Sequence, residues 1–293
     1  MRILAFGEIL FDIIEGEPFL GGAPLNFAGH LARLGAESYI YSAVGNDPLG
    51  AQALAEIRQL GVDTRLVQVQ EQYPTGTVPV RFTNGQPAYT ILRDVAYDYI
   101  DYSAAEPLLQ GLQPDLLYFG TLAQRNSHSR SSLRQLLSGQ QAPRVFYDIN
   151  LRQDAYSPEI IRESLQLCSI LKLNDEEARL LSELFFQKEL ALEAFARQLA
   201  QAYGLELIII TAGARGCYLL EGPDYYYVSG YPTKVVDTVG AGDAFSAAFV
   251  YQYLRHGDAL VAADIANRLG AYVASCRGPL PEYSADIREL VKG

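Results

Sequence analysis

Short apolar, β-branched segments alternate along the chain with longer segments of helical periodicity. The first pair is residues 3–6 followed by residues 25–34, and the second is residues 39–44 followed by residues 49–60. This alternation favours parallel strands joined by helical crossovers, because a tight hairpin cannot connect parallel neighbours. Strands that are apolar on both faces need helices on both sides of the sheet. The sequence therefore predicts an α/β fold, a three-layer αβα sandwich with a mostly parallel central sheet.

The same alternation continues through the rest of the chain. Further buried strands are predicted at residues 116–119, 145–149, 170–173 and 207–211, with helices at residues 129–137 and 189–203. No Pro/Ser-rich linker, low-complexity tract or fixed repeat interrupts the sequence. With 49% hydrophobic residues the chain can bury one large core. A single domain over residues 1–293 is expected.

One region departs from the alternating pattern. Residues 77–82 and 88–92 have the period-two pattern of antiparallel strands, and Asn84-Gly85 between them is a strong hairpin signal. Two or three such strands bury too little surface to be stable alone. We expect a small β lid, formed by about residues 12–20 and 65–95, that covers a site or clasps a second subunit in a homodimer.

Charge and cysteine content limit the partners and the compartment. The net charge of -11 and the pI near 4.8 disfavour nucleic acid as a partner. The three cysteines, Cys168, Cys217 and Cys276, are too scattered for a disulfide framework. The N-terminus has no signal-peptide core, and no apolar run reaches the roughly 18 residues of a membrane span. We expect a soluble cytoplasmic protein that does not bind membranes.

The most informative motif is Asp237-Thr238-Val239-Gly240-Ala241-Gly242-Asp243, which precedes an apolar helical run. Glycines at a helix start let a ligand approach the backbone, and the unpaired amides of the first turn attract phosphate. Asp243 could instead be only a helix cap, but capping explains neither glycine nor the second acid. Phosphoryl transfer needs amide donors beside a carboxylate base.

The pattern Asp-Thr-x-Gly-Ala-Gly-Asp resembles the signature of the ribokinase-like (PfkB) sugar kinases. The resemblance implies that ATP is the phosphoryl donor and that Asp243 accepts the proton of the attacking sugar hydroxyl. It also implies that the amides of Gly240, Ala241 and Gly242 form an anion hole, so that Gly240 and Gly242 contact ATP as well. Family order and spacing are kept along essentially the whole chain.

Two N-terminal features are assigned to the sugar. Gly21-Gly22-Ala23-Pro24-Leu25-Asn26 resembles the family's paired glycines and following asparagine, which implies sugar contacts for Gly22 and Asn26. A plain glycine turn before a helix is the alternative. Asp12 lies beyond the first strand, where ligands of parallel sheets gather, and is the expected specificity anchor; a surface acid is the alternative.

A third sugar-binding segment is Asp148-Ile149-Asn150-Leu151-Arg152, which continues a predicted strand. Alternation would place Asp148, Asn150 and Arg152 on one face, directed into one cleft. The segment resembles an Asp-x-Asn-x-Arg pattern that lines the sugar and phosphate side in related fructokinases and ketodeoxygluconate kinases. Asn150 and Arg152 are therefore candidate substrate ligands, and Arg93, at the end of a lid strand, is a second candidate cation.

Metal ions are implied by two further motifs. Asn174-Asp175-Glu176-Glu177 resembles the family's Asn-x-x-Glu element, which implies that Glu177 contacts Mg²⁺ through water and that Asn174 lies on the ATP side. The same spacing is a helix capping box, and we expect both roles together. Asp237 is a candidate ligand of a monovalent cation. Residues 276–281 replace the commoner Gly-Ala loop near that site, so K⁺ dependence stays open.

Two more segments are assigned to the nucleotide. Thr211-Ala212-Gly213-Ala214-Arg215-Gly216 resembles the family's Thr-x-Gly-x-x-Gly turn, which implies ATP contacts for Thr211, Gly213 and Gly216; a plain hairpin is the alternative. Asn267 resembles a position that flanks the adenine or ribose, and an exterior polar residue is the alternative.

These motifs together indicate an ATP-dependent sugar kinase. The combined sugar motifs, with Arg93-Asp94-Val95-Ala96, look most like bacterial fructokinases, while ketodeoxygluconate, ribose or a nucleoside remain alternative acceptors. A non-catalytic sugar or nucleotide sensor would not require the catalytic aspartate and hole glycines. A Walker-type loop and a dinucleotide fingerprint are both missing from the sequence, which disfavours other nucleotide folds and nicotinamide-dependent oxidoreductases.

Overall fold

The computed structural model of the protein describes residues 1–83, 86–139 and 144–291. Within these residues the strands are β1 (Arg2–Phe6), β2 (Leu10–Ile14), β3 (Glu17–Gly21), β4 (Glu37–Gly45), β5 (Val67–Gln70), β6 (Gly76–Thr83), β7 (Gln86–Tyr89), β8 (Leu116–Gly120), β9 (Val145–Asp148), β10 (Ile170–Asn174), β11 (Leu207–Thr211), β12 (Gly216–Glu221) and β13 (Asp224–Ser229). The helices are α1 (Ala23–Leu34), α2 (Pro48–Gln59), α3 (Tyr102–Gln110), α4 (Ser127–Gly139), α5 (Pro158–Leu167), α6 (Asp175–Phe186), α7 (Leu192–Tyr203), α8 (Ala241–His256), α9 (Ala259–Ala274) and α10 (Ala285–Leu290).

Nine of the described strands form one sheet in the order β13-β12-β11-β10-β9-β8-β1-β4-β5. Neighbours from β11 to β5 are parallel, and β12 and β13 add an antiparallel edge. Successive residues of β1 enter different apolar clusters: Ile3 and Ala5 pack on one face, and Leu4 and Phe6 on the other. Helices cover both faces, so the predicted αβα sandwich with a mostly parallel sheet is confirmed. In the part of the chain that the structure describes, no helix combines the length and apolarity needed to cross a bilayer.

A second sheet, in the order β3-β2-β6-β7, forms the lid. The predicted boundary of 65–95 is wrong at its start, because β5 pairs with β4 in the central sheet, where Val67 packs on the main core. The strand predicted at residues 88–92 ends at Tyr89. Thr90 donates its N–H to the Pro79 carbonyl, but Pro79 has no N–H to return, so the pairing becomes one-sided; Leu92 N–H still bonds the Thr77 carbonyl at 3.3 Å. The Asn84-Gly85 turn lies outside the described residues.

Two helices begin at the carboxyl edge of the central sheet because glycines allow close backbone approaches there. Gly22 precedes α1 with φ 117°, and a Cβ at this position would lie 2.4 Å from the Glu8 carbonyl oxygen. Gly240 precedes α8 with φ 78°, and its Cβ would lie 2.5 Å from the Cα of Pro279. Any other residue would push these backbones apart. The packing of α1 against α8 then brings the two helix starts together.

Asp47 both caps α2 and binds Thr75 in the segment before β6, so its substitution measures how much these hydrogen bonds contribute to stability. Its carboxylate caps α2 by accepting from the Gly50 N–H at 2.8 Å, and it also accepts from the N–H and Oγ1 of buried Thr75, each at 2.7 Å. We expect Asp47→Ala to lower the free energy of unfolding by about 3 kcal/mol, because the cap is lost and Thr75 keeps unsatisfied donors. Asp258→Ala, which removes only the cap of α9, should cost about 1 kcal/mol.

Urea denaturation of both variants measures the difference, with equal m-values required for the comparison. Equal losses for the two substitutions would show that the Thr75 bonds contribute nothing.

Candidate active site

The first turn of α8 places Asp243 beside Asn26 of α1. Asn26 Nδ2 donates a hydrogen bond of 2.8 Å to Asp243 Oδ2, across 217 positions of sequence. The Asn26 backbone N–H bonds the Gly22 carbonyl at 2.8 Å, so the start of α1 fixes where this side chain lies. The predicted base and a predicted sugar ligand, from opposite ends of the chain, are therefore in direct contact.

The Asp243 carboxyl is in an environment that disfavours its charge. The residue keeps part of its surface accessible to solvent, but burial of the carboxyl raises its pKa to about 6. The hydrogen bond from Asn26 opposes this rise, the negative charge of Asp148 adds to it, and the charges of Lys172 and Arg152 oppose it. A carboxylate whose pKa lies close to neutral pH is suited to act as a general base.

Two backbone N–H groups at this helix start have no acceptor among the described contacts. The first backbone bond within α8 runs from the Ala244 N–H to the Gly240 carbonyl at 2.8 Å, and the Ala241 N–H bonds the Thr238 carbonyl at 3.3 Å. Among the described contacts the N–H groups of Gly242 and Asp243 have no acceptor. The Ala241 amide is already engaged in the turn, so the amides of this helix start that remain free to bind an anion are those of Gly242 and Asp243.

The positive charge of Arg152 lowers the pKa of three carboxyls, those of Glu8, Asp12 and Asp243. Burial raises the pKa of Asp12, on lid strand β2, and Arg152 opposes the rise. Glu8 is 3% exposed, and burial raises its pKa to about 7; Asp243 adds to this rise and Arg152 opposes it. Glu8 Oε2 and Asn26 Oδ1 are buried and have no hydrogen-bond partner among the described residues. Oxygens of this kind are suited to accept or share hydrogens of ligand hydroxyls.

The prediction that Asp148, Asn150 and Arg152 share one strand face is wrong. Strand β9 ends at Asp148, and Asn150 adopts a left-handed φ of 41°, so the alternation does not continue. Asp148 is buried and pairs with Lys172, whereas Arg152 is exposed. Arg152 still reaches the acids of the site electrostatically, but from the loop after the strand.

Arg93 connects the lid to this same loop. Its Nη2 lies 2.7 Å from Asp154 Oδ2, and both side chains are exposed. Close by, Gln153 Nε2 donates to the Tyr89 carbonyl at 2.6 Å. Within the described contacts Arg93 makes no bond to Asp12 or to the other acids of the site, and its ion pair joins the segment after β7 to the loop after β9.

The capping box predicted at Asn174 is confirmed. Asn174 Oδ1 accepts from the Glu177 N–H at 2.7 Å, and Glu177 Oε2 accepts from the Asn174 N–H at 2.8 Å. Glu177 Oε1 also accepts from the Leu151 N–H at 2.8 Å. No group of three or more His, Cys, Asp or Glu side chains suited to a metal occurs in the described residues. One buried carboxylate nevertheless fits an ion held mainly by water and phosphate oxygens, as Mg²⁺ is.

The turn after β11 has a structural explanation of its own. Strands β11 and β12 form the hairpin that was the alternative reading. Thr211 Oγ1 lies 3.4 Å from the Leu173 carbonyl, and Gly213 is exposed at the start of the turn. Gly216 is buried, and a Cβ there would lie 2.1 Å from the Val228 carbonyl oxygen. Only Gly213 is thus left without a packing reason.

Asn267 and Asp237 both bind backbone groups. Asn267 is 8% exposed, so the alternative of an exterior polar residue is wrong; its Nδ2 lies 3.3 Å from the Ser229 carbonyl at the end of β13. Asp237 accepts from the Val239 N–H at 3.0 Å and from the Gly278 N–H at 3.1 Å. Asp237 therefore ties the glycine-rich turn to the loop of residues 276–281.

Sequence reasoning did not single out Glu8 and Lys172. Glu8 follows β1 by two residues, in the turn that leads to β2, the strand that carries Asp12. Lys172 stands in the middle of an otherwise apolar strand, and a lysine there needs a buried partner. Both signals were present in the sequence.

Comparisons with known proteins show which family and which structures this chain resembles. Residues 7–284 match the pfkB family of carbohydrate kinases. An uncharacterized sugar kinase from Pyrococcus horikoshii is 30% identical over 301 residues, which cover 94% of this chain and 91% of that protein. The structure of that kinase in complex with ATP has a TM-score of 0.80 at 27% identity and covers 95% of this chain and 94% of the other.

Fructokinases are similar as well. The Escherichia coli fructokinase is 27% identical over 298 residues, which cover 95% of each protein. The structure of a Vibrio cholerae fructokinase with bound fructose, ADP and calcium has a TM-score of 0.83 at 24% identity, covering 95% of this chain and 94% of that one. At this identity the second comparison shows a shared fold.

The raised pKa of Asp243 predicts a pH-dependent gain in stability for Asp243→Asn. The carboxyl titrates near 3.8 when unfolded and at about 6 when folded, so its favourable contribution is complete below 3.8 and is lost as the pH rises through about 6. Asparagine does not ionise. We expect the variant to be more stable than the parent by about 2 kcal/mol at pH 7.5 and nearly equal to it at pH 4.

Urea unfolding over this pH range measures the gain. Glu8→Gln should behave in the same way, with its gain appearing nearer pH 7. A stability difference that is constant with pH would contradict the burial of these carboxyls.

Proposed function

Since the chain belongs to the pfkB family of carbohydrate kinases, and is thus a sugar kinase that uses ATP, we propose that its acceptor is fructose. Three sequence motifs and the fructokinase relatives support this choice of acceptor. The single observation that carries the chemistry is the contact of Asp243 with Asn26 beside the free amides of α8. A base, an acceptor-side ligand and an anion site meet there.

The proposed reaction is an in-line phosphoryl transfer. The sugar hydroxyl oxygen attacks the γ-phosphorus of ATP, the bond from that phosphorus to the β,γ-bridging oxygen breaks, and ADP leaves. Asp243 accepts the hydroxyl proton. The N–H groups of Gly242 and Asp243 bind the oxygens of the transferring group, and Arg152 offsets the negative charge that collects there.

On the sugar side, unpaired oxygens provide the recognition. Asn26 Nδ2 donates a hydrogen bond to Asp243, and the unpaired Oδ1 of the same side chain can accept a hydrogen from a sugar hydroxyl. Glu8 Oε2 is the second unpaired buried oxygen, and Asp12 approaches from the lid. A compact polyhydroxylated molecule would satisfy all three groups, whereas an apolar ligand would leave them unpaired. Gly22 would let the backbone approach the sugar. Asn150, in the turn after β9, is proposed as a further sugar ligand.

We propose Mg²⁺ as the divalent ion, with Glu177 holding it through water and Asn174 on the ATP side. When bound, the ion would neutralise phosphate charge. Thr211, Gly213, Gly216 and Asn267 belong to the proposed nucleotide side, where Gly213 is the exposed member. A chelator should abolish turnover, and Mg²⁺ should restore it.

Asp237 is the proposed carboxylate of a monovalent-cation site. Both of its oxygens already accept backbone N–H groups, so a cation would have to share them. Turnover in K⁺ compared with tetramethylammonium at equal ionic strength tests whether any such ion is used.

Dimerisation through the lid is proposed from its exposed apolar side chains. Phe19 and Tyr89 are each 51% exposed, and Ile14 and Leu92 are 37% and 41% exposed. Exposed apolar groups on a small open sheet are typical of a surface that pairs with another subunit. Size-exclusion chromatography of Phe19→Asp against the parent protein tests this proposal.

A cytoplasmic location is proposed because the phosphoryl donor is ATP and because Cys168 and Cys217 are buried free thiols, which suit a reducing compartment. Fractionation of cells that express the protein tests the location.

Asp243→Asn should lower kcat by about 10²- to 10⁴-fold, because general-base catalysis is lost while the fold and the Asn26 contact are retained. The sugar KM should change little. Coupled ADP-release kinetics measure both constants. Asp101→Asn, a helix-cap acid at α3, is the matched control and should keep full turnover. Near-full turnover of a folded Asp243→Asn protein would reject the proposed base.

A panel of acceptors tests the substrate. Fructose should give the highest kcat/KM among fructose, ketodeoxygluconate, ribose and a nucleoside. A higher value for one of the other acceptors would reassign the substrate and keep the kinase. ATP binding without turnover of any acceptor would instead favour a nucleotide sensor.

A further inference from the structure

A buried ion pair lies directly beneath the first turn of α8. Lys172 and Asp148 are cross-strand partners on β10 and β9, and Lys172 Nζ lies 3.0 Å from each carboxylate oxygen of Asp148. Lys172 is 8% exposed and Asp148 is 1% exposed. Asp148 Oδ2 also accepts from Ser246 Oγ at 3.1 Å and lies 3.3 Å from the Tyr118 hydroxyl.

Stability alone does not explain this pair. Removing two charges from water costs several kcal/mol per ion, and apolar residues of similar size usually serve a core equally well or better. The neighbouring positions of β10, Ile170, Leu171 and Leu173, show that the strand accepts apolar side chains. A buried ammonium at this place therefore needs another reason.

The ammonium end of the pair faces the anion site. A Cβ at Gly242 would lie 3.3 Å from Lys172 Nζ, and apart from the two chain neighbours and the local helix backbone no other described atom lies within 4 Å of that position. Ser246 Oγ lies 3.0 Å from the Gly242 carbonyl and 3.1 Å from Asp148 Oδ2, which ties the pair to the same turn. The ammonium is thus the end of the pair that approaches Gly242, whereas the Asp148 carboxylate is bonded one turn further along α8, at Ser246.

This orientation matters in an acidic protein. The helix start alone provides a partial charge of about half a unit. Lys172 adds a positive charge that the adjoining Asp148 partly offsets. It stays protonated because its pKa is raised: burial lowers it, but Asp148, Glu177 and Asp243 together raise it by more. Arg152 is the other nearby cation, and it is exposed to solvent and its screening.

Resting on the proposed kinase function, we propose that Lys172 is an electrostatic positioning residue for phosphoryl transfer. Its ammonium, fixed by Asp148, acts through the Gly242 turn to stabilise the charge on the transferring phosphoryl group. The same ammonium favours the ionised form of Asp243. Lys172 does not contact the sugar, and no covalent step passes through it.

The test uses three variants of the full chain: Lys172→Met, Asp148→Asn, and the double variant Lys172→Met/Asp148→Asn. We expect Lys172→Met to lower kcat by about 10²-fold, with the sugar KM within about threefold of the parent. Asp148→Asn should have a smaller effect. The double variant has no unpaired buried charge and should recover the parent's thermal midpoint, yet keep the low kcat of Lys172→Met.

The comparison of thermal midpoint with kcat in the double variant distinguishes a structural role of the pair from an electrostatic one. If the pair is only structural, kcat of the double variant will return together with its stability. If Lys172→Met fails to fold, the double variant carries the test by itself. A kcat of the double variant within about threefold of the parent overturns the proposal.

The pH profile gives a second readout. Groups facing Asp243 are Glu8 after β1, Asn26 on α1, Tyr118 on β8, Asp148 on β9, Lys172 on β10 and Arg152 in the loop after β9. Removal of Lys172 should move the acid limb of kcat to higher pH, and removal of Asp148 should move it to lower pH. Shifts in the same direction for both variants would contradict the proposal.

Two controls complete the experiment. Arg125 and Asp98 form another buried pair, with side chains 5% and 2% exposed, so Arg125→Met should destabilise the fold while kcat stays within about threefold. Turnover by the parent protein and its loss in Asp243→Asn test the kinase function separately. A parent that turns over normally beside a fully active double variant would reject the role of Lys172 alone.

Discussion

The hydrogen bond between Asn26 and Asp243 depends on the placement of two helix starts. The start of α1 is set by Gly22 against the Glu8 backbone, and the start of α8 by Gly240 against Pro279. Each contact is so close that only a glycine fits, so neither helix can slide without a collision or a gap. The loop of residues 276–281 thereby acts on the site through Pro279, which packs against Gly240. Backbone packing, more than any side chain, fixes the distance between base and acceptor ligand.

Most of the fold could be predicted because the residue pattern of each strand shows whether one or both of its faces are buried. Residues that are apolar in succession, such as Ile3 and Leu4, must face two covered sides, and the structure buries them in different clusters. The errors arose where the sheet to which a strand belongs, or the residue at which it ends, depends on the neighbouring strand. Val67 has the same local pattern as a lid residue but pairs with β4, and β7 ends opposite Pro79 because a proline cannot complete the ladder. Local periodicity contains no information on either partner.

The candidate site was predictable to the extent that glycines and acids cluster in the sequence. The meeting of Asp243 with Asn26 agrees with the motifs. The predicted shared face of Asp148, Asn150 and Arg152 failed because Asn150 adopts φ 41°. The Lys172–Asp148 pair was not foreseen because the local sequence does not show the register of β9 with β10. Charges within apolar strands acquire meaning only when the neighbouring strand is known. Roles for Asn174 and Gly216 are equally ambiguous in sequence, since capping and packing already explain both.

The lid carries one of the proposed sugar ligands and the body carries the others. Asp12 lies on β2 of the small sheet, whereas Asn26 and Glu8 belong to the αβα body, and the lid meets the loop after β9 through exposed contacts such as Arg93 with Asp154. A molecule bonded at once to Asp12 and Asn26 would bridge the two parts. Its hydrogen bonds would add to the apolar packing of Phe11 and Val78 that already joins the lid to the body.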